Sequence, residues 1–246
     1  MLKQKILGVI PARYNSSRLP GKPLFLINRK PLIQKVFENA KRSESLDRIL
    51  VATDDRRILD TVEKFGGEAV LTSKNNRTGT DRVFEASKNL KYDIILNIQC
   101  DEASFNPRMI DDLISQMRKN KRILMGTLAR KIKDEKSLKN PDVVKVVLDK
   151  DGNALYFSRY PIPFLRPDGF KPKRNLFYEH IGIYAFRKNF LKKFSDLPQT
   201  PLEKSERLEQ LRALESGYKI KVFLTEHNSK ALNSYQDLKR LNRKGV

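Results

Sequence analysis

The chain has 246 residues, 39% of them hydrophobic and 32% charged, with a formal net charge of +21. That length buries a sizeable core and the balance is ordinary for a globular protein, so a small stapled module and a disordered tail are both excluded. No apolar run approaches the roughly 18 residues a membrane helix needs, and a single cysteine, Cys100, leaves no internal disulfide framework and no zinc-type spacing. Residues 1–10 carry lysines and apolar side chains, but Pro11 and Arg13 end the run too early for a secretory leader. A cytoplasmic protein of one domain, 1–246, with no membrane association is the expectation. The positive charge has two readings: a polyanionic partner, or a solvated lysine-rich surface. Basic residues are spread along the chain without the compact stripe of a nucleic-acid face, so no nucleic-acid partner is expected.

In chain order, residues 5–10 form a short apolar run read as a buried strand, and 31–42 carry Leu32, Val36 and Ala40 at helical spacing. Residues 48–52 are a second strand closing on Thr53, Asp54 and Asp55, followed by a helix over 58–65 and a strand at 69–71. A helix over 80–90, a strand over 93–98 and a helix over 107–118 complete the first half. Apolar strands alternating with helices imply a parallel sheet covered on both faces. Beyond Lys121 the pattern changes. Strands at 143–148 and 154–157 flank Asp151, Gly152 and Asn153 and read as a hairpin. A proline-rich loop spans 161–172, a strand 181–186, and a long helix 202–217 stopped by Gly217. A last strand at 219–224 and a helix at 235–242 close the chain, with no internal repeat.

In an open parallel sheet, ligands bind beyond the carboxyl ends of the strands. The first strand empties there into a loop holding Arg13, Arg18 and Lys22 among small hydroxyl residues and Gly21. Arginines can clamp phosphate oxygens in pairs and a lysine adds a point charge. The loop is neither a Walker A loop nor a dinucleotide fingerprint, both of which need more glycines; an ordinary basic surface loop is the alternative.

The run P-A-R-Y-N-S-S-R-L-P-G-K-P-L from Pro11 to Leu24 resembles the opening of the 3-deoxy-manno-octulosonate cytidylyltransferases. Arg77-Thr78-Gly79-Thr80-Asp81-Arg82 and Asn97-Ile98-Gln99-Cys100-Asp101-Glu102 are similar to further family blocks, in the right order. So are Ala154-Leu155-Tyr156-Phe157-Ser158-Arg159, His180-Ile181-Gly182-Ile183-Tyr184 and Leu208-Glu209-Gln210-Leu211-Arg212. The resemblance implies an α/β, Rossmann-like nucleotide-diphospho-sugar transferase fold, a mostly parallel open sheet with helices on both faces. It implies a nucleotide-binding half (1–120) and a sugar-binding and dimerisation half (121–246). The implied reaction moves CMP from CTP to the anomeric hydroxyl of 3-deoxy-D-manno-octulosonate (Kdo) for lipopolysaccharide biosynthesis, releasing pyrophosphate, in a homodimer.

Carried across, Ala12, Arg13, Arg18, Lys22, Thr78, Gly79, Arg82 and Gln99 surround CTP, with Arg13, Lys22 and Asp101 catalytic. Arg159, His180, Tyr184, Glu209 and Gln210 hold the sugar, Arg159 facing its carboxylate. Asp101 binds Mg2+ with the position of Asn233. From the residues alone, His180 reads first as a structural histidine, Tyr184 as a packing residue, and Glu209 and Gln210 as solvated helix residues. Cys100 reads as a small buried residue. The chain departs from the family pattern at Cys100 (glycine), Ala103 (proline) and Asn233 (aspartate). The last removes a charge from the metal site and leaves two other readings: a cytidylyltransferase for a modified acid sugar, or a non-catalytic nucleotide-binding paralogue.

Overall fold

A computed structural model describes residues 4–15, 19–166 and 176–243. The chain runs β1 (Ile6–Ala12), a 3-10 turn (Lys22–Leu24), β2 (Leu26–Ile27), β3 (Lys30–Pro31), α1 (Leu32–Lys41), β4 (Arg48–Thr53), α2 (Arg56–Lys64) and β5 (Ala69–Leu71). It continues through α3 (Gly79–Ser87), β6 (Ile94–Ile98), β7 (Ser104–Phe105), α4 (Arg108–Lys119), β8 (Met125–Lys131) and α5 (Glu135–Lys139). The remainder is β9 (Lys145–Leu148), β10 (Ala154–Ser158), β11 (Tyr178–Arg187), α6 (Lys188–Asp196), α7 (Pro201–Glu206), α8 (Leu211–Glu215), β12 (Lys221–Leu224), β13 (Ser229–Lys230) and α9 (Tyr235–Arg243).

A nine-stranded sheet is ordered β10-β9-β11-β6-β1-β4-β5, with β8 on β11 and β12 on β8. Pairing is parallel through β5, β4, β1 and β6 and again between β12 and β8; antiparallel pairing enters at β11 and in the β9–β10 hairpin. Strand alternation divides the core. Ile6 and Ile10 of β1 and Leu96 of β6 face one hydrophobic cluster with α1, α2 and α4; Leu7, Val9 and Ile95 face another with α3, α6 and α8. Helices therefore cover both faces, and the loops after β1, β4 and β6 meet on one edge.

The hairpin turns through Gly152 at φ 74, a left-handed geometry that favours glycine. Several features differ from the sequence reading. Residues 202–217 are two short helices: Arg207 adopts φ 53 after α7, and the chain re-enters a helix only at Leu211. A capping box of Thr200 and Glu203 starts α7, while buried Leu208 draws the intervening segment onto the core. Strand β8 and helices α5 and α6 also lie where no element was expected. Gly126 and Thr127 interrupt the apolar signal in β8, and α6 buries just Phe190, Leu191 and Phe194.

Candidate active site

A cleft of about 930 Å³ opens along the edge where these loops converge. Its nucleotide-side wall begins at the end of β1. Ala12 is the buried last residue of that strand, and Arg13 follows it, exposed at the cleft. Gly21 donates its N–H to the Tyr14 carbonyl (2.8 Å) at φ 72, and an added Cβ would meet the Tyr14 ring at 3.2 Å. That tight return delivers Lys22, whose Nζ donates to Asp101 Oδ2 (2.9 Å) and to the Leu232 carbonyl (3.0 Å). Leu232 N–H in turn donates to the Asp101 carbonyl (2.8 Å), so the loop after β6 and the segment before α9 meet around one ammonium. Arg18 lies outside the described residues.

Across from Lys22 stands the start of α3. Thr78 is its N-cap: Thr78 Oγ1 accepts from Asp81 N–H (3.2 Å), and Asp81 Oδ2 accepts from Thr78 N–H (3.1 Å). Thr78, Gly79 and Gln99 line the cleft. Arg82 also reaches it, its guanidinium donating to Asp54 Oδ2 (2.8 Å) and to Thr72 Oγ1.

The opposite end is built on β11 and the α7–α8 connection. Tyr184 pairs in register with Asn97 of β6, and His180 lies between the Phe157 and Tyr184 rings, 5.2 and 5.1 Å from their centroids. His180 Nε2 is 3.0 Å from Thr127 Oγ1, and burial pushes the imidazole down to about 3, so it is neutral near pH 7. Glu209 accepts from Thr80 Oγ1 (2.6 Å) and Thr80 N–H (3.3 Å), while Asn97 Nδ2 donates to Thr80 Oγ1 (2.9 Å); burial raises the Glu209 carboxyl above its usual range. Arg159 Nε and Nη1 donate to the carbonyls of Glu206 (2.8 Å) and Pro141 (3.0 Å) at the cleft margin.

Three buried polar atoms here have no partner among the described residues: Asn97 Oδ1, Tyr184 Oη and Gln210 Nε2, each on a cleft-lining residue. Orphaned polar atoms are costly inside a protein and point to a polar occupant. The sequence reading missed Asn97, although an amide inside an apolar strand is itself the signal. Glu102 was also unassigned. Its Oε1 accepts from Gly182 N–H (2.9 Å), its Oε2 from Ser229 Oγ, and burial pushes its carboxyl up to about 7. Gly182 sits where β11 shifts register, and a Cβ there would lie 2.7 Å from Gln99 Oε1.

Among the described residues, no group of three or more His, Cys, Asp or Glu side chains is arranged to hold a metal. Asp101, Asn233 and Asp237 all line the cleft, but Asp237 Oδ2 is engaged by the N–H groups of Ser234 (2.9 Å) and Asn233 (3.1 Å) and by Ser234 Oγ (2.8 Å). Cys100 is buried and its thiol is pushed up to about 12, which removes it as a nucleophile. One end of the cleft thus presents cations suited to phosphate oxygens; the other presents buried amide, imidazole and phenol groups suited to hydroxyls, with the Arg159 guanidinium at its margin.

A family model described as Cytidylyltransferase matches residues 7–220. The chain is 51% identical over 240 residues to the 3-deoxy-manno-octulosonate cytidylyltransferase of Thermodesulfovibrio yellowstonii, covering 94% of each. It is 45% identical over 243 residues to that of Trichlorobacter lovleyi, covering 96% of each. A solved structure of CMP:2-keto-3-deoxy-manno-octonic acid synthetase complexed with CTP superposes with a TM-score of 0.88 at 38% identity, covering 97% of both chains.

Proposed function

This chain belongs to the 3-deoxy-manno-octulosonate cytidylyltransferase family, and we infer that it transfers CMP from CTP to the anomeric hydroxyl of Kdo, releasing pyrophosphate. The observation that carries the reading is the polarity of the cleft. Arg13 and Lys22 stand at one end, and the unpartnered atoms of Asn97, Tyr184 and Gln210 at the other. A triphosphate and an acid sugar laid along it bring the anomeric oxygen to the α-phosphorus. The new P–O bond forms as the bond to the departing pyrophosphate breaks, and no protein nucleophile takes part.

Positioning and charge stabilisation supply the catalysis of such a displacement. Lys22 and Arg13 neutralise the triphosphate, with the end of α3 contributing N–H groups beside Thr78 and Gly79. Neutral His180 and the Tyr184 hydroxyl contact sugar hydroxyls without adding charge near the reacting phosphate. Arg159 faces the sugar carboxylate. Magnesium, if bound, would be held by the Asp101 carboxylate, with the Asn233 side-chain oxygen and substrate phosphates as further oxygen donors. When bound, the ion supplies charge neutralisation at the phosphates and polarises a phosphoryl oxygen. Asp101 would be free to hold the ion once the Lys22 ammonium turned from that carboxylate to the triphosphate.

The product serves lipopolysaccharide assembly in the cytoplasm, and the enzyme acts as a homodimer in which exposed Tyr160 and Phe164 are covered; these rest on the family and on that apolar surface. The test is pyrophosphate release with CTP, Kdo and magnesium, against UTP and ATP and against other acid sugars. Turnover confined to CTP with Kdo is expected; equal turnover with another acid sugar would reassign the substrate.

A further inference from the structure

The two ends of the cleft are built from distant parts of the chain; Glu209 meets Thr80 directly, and one buried cation adds a second link between them. Arg212 of α8 has no exposed side-chain surface and does not line the cleft. Its Nε and Nη2 donate to the two carboxylate oxygens of Glu203 (2.8 and 2.6 Å), its Nη1 donates to Asp81 Oδ1 (3.3 Å), and its guanidinium lies 4.9 Å from the Phe194 ring centroid. Each carboxylate has a second task. Asp81 Oδ2 closes the cap on Thr78 N–H, and Glu203 Oε2 accepts from Thr200 N–H (3.4 Å), capping the start of α7, the helix that leads into the turn before Glu209 and Gln210. Arg212 N–H also donates to the Glu209 carbonyl (3.2 Å). Asp81 is further faced by Arg77 Nε at 3.6 Å and Ser195 Oγ at 3.5 Å.

Stability is a weak reason for such a cluster, because buried ion pairs are often replaced by apolar groups without loss. What a bidentate fork held between two carboxylates does supply is fixed geometry. We propose that Arg212 is a positioning residue that holds the nucleotide-side cap of α3 and the sugar-side segment carrying Glu209 and Gln210 in register across the cleft. Asp81 is its arm to the first and Glu203 its arm to the second. This rests on the assignment of those walls to CTP and Kdo.

The test is steady-state kinetics of pyrophosphate release by Asp81→Asn, Glu203→Gln and Arg212→Lys, with active sites titrated and folding checked by circular dichroism. Asp81→Asn weakens the arm to α3 and should raise the KM for CTP about tenfold, with the KM for Kdo little changed. Glu203→Gln should do the reverse. Arg212→Lys keeps the charge, loses the fork and should raise both. Purely structural roles predict lower melting temperatures with both KM values unchanged in every variant, and that result overturns the proposal. A natural protein that binds CTP yet releases no pyrophosphate would instead overturn the assignment beneath it.

Discussion

Replacing Lys145 with methionine should loosen one corner of the sugar site in a measurable way. The Lys145 side chain is buried, and its Nζ donates to the carbonyls of Asn140 (2.9 Å), Val143 (2.7 Å) and Arg159 (2.6 Å). Methionine fills a similar volume but leaves three acceptors without their donor, at about 1–3 kcal/mol for each that stays buried. Two effects offset this. Asn140 is exposed and water can replace the ammonium there, and the variant no longer buries a charge, whose cost lowers the Lys145 pKa. The remaining loss is about 2 kcal/mol, a fall of roughly 4–8 °C in Tm for a chain of this size. Arg159 then keeps its backbone tie to Glu206 (2.9 Å) but loses the tie at its carbonyl, and the KM for Kdo should rise about tenfold while that for CTP holds. Thermal melting by far-UV circular dichroism suits a chain without tryptophan. An unchanged or higher Tm would show that burying the ammonium costs more than its hydrogen bonds return. An unchanged Kdo KM would show that the other ties of Arg159, to Glu206 and Pro141 among them, suffice to place it.

Other outcomes follow from the same geometry. His180 is held neutral, its pKa depressed from 6.5 to about 3, so its contribution is present above pH 6.5 and lost as the pH falls toward 3; His180→Gln should flatten acid unfolding over that window by a few kcal/mol. Urea titrations at several pH values check this, and parallel curves would refute it. Gly182→Ala places a Cβ 2.7 Å from Gln99 Oε1 and should cost about 1–3 kcal/mol while raising the KM for CTP as Gln99 shifts. Cys100 should resist a thiol-labelling reagent in the native protein and react fully in denaturant; rapid native labelling would contradict its burial.

The parallel half of the sheet was legible because β1, β4 and β6 are continuous apolar runs, each ending where a polar loop begins. The helical stretch after residue 200 was misread because its composition favours a helix throughout. The left-handed turn at Arg207 is imposed by tertiary packing of Leu208 and by Glu209 reaching Thr80, which no local pattern encodes. Motif blocks carry many of the cleft-lining residues but not their partners. That Lys22 pairs with Asp101, or that Arg212 spans Asp81 and Glu203, depends on chain crossings of 79 and 131 residues for which periodicity holds no signal. Asn97 was legible in principle, as the amide in an apolar strand, and gained meaning once Tyr184 was found beside it.

The most direct measurement follows the α-phosphate. With CTP labelled at that position, Kdo and magnesium, the label should pass into a sugar nucleotide whose mass is that of CMP joined to Kdo, with unlabelled pyrophosphate formed in equal amount. Label retained in CTP, or released as free CMP without a sugar nucleotide, would contradict the transfer.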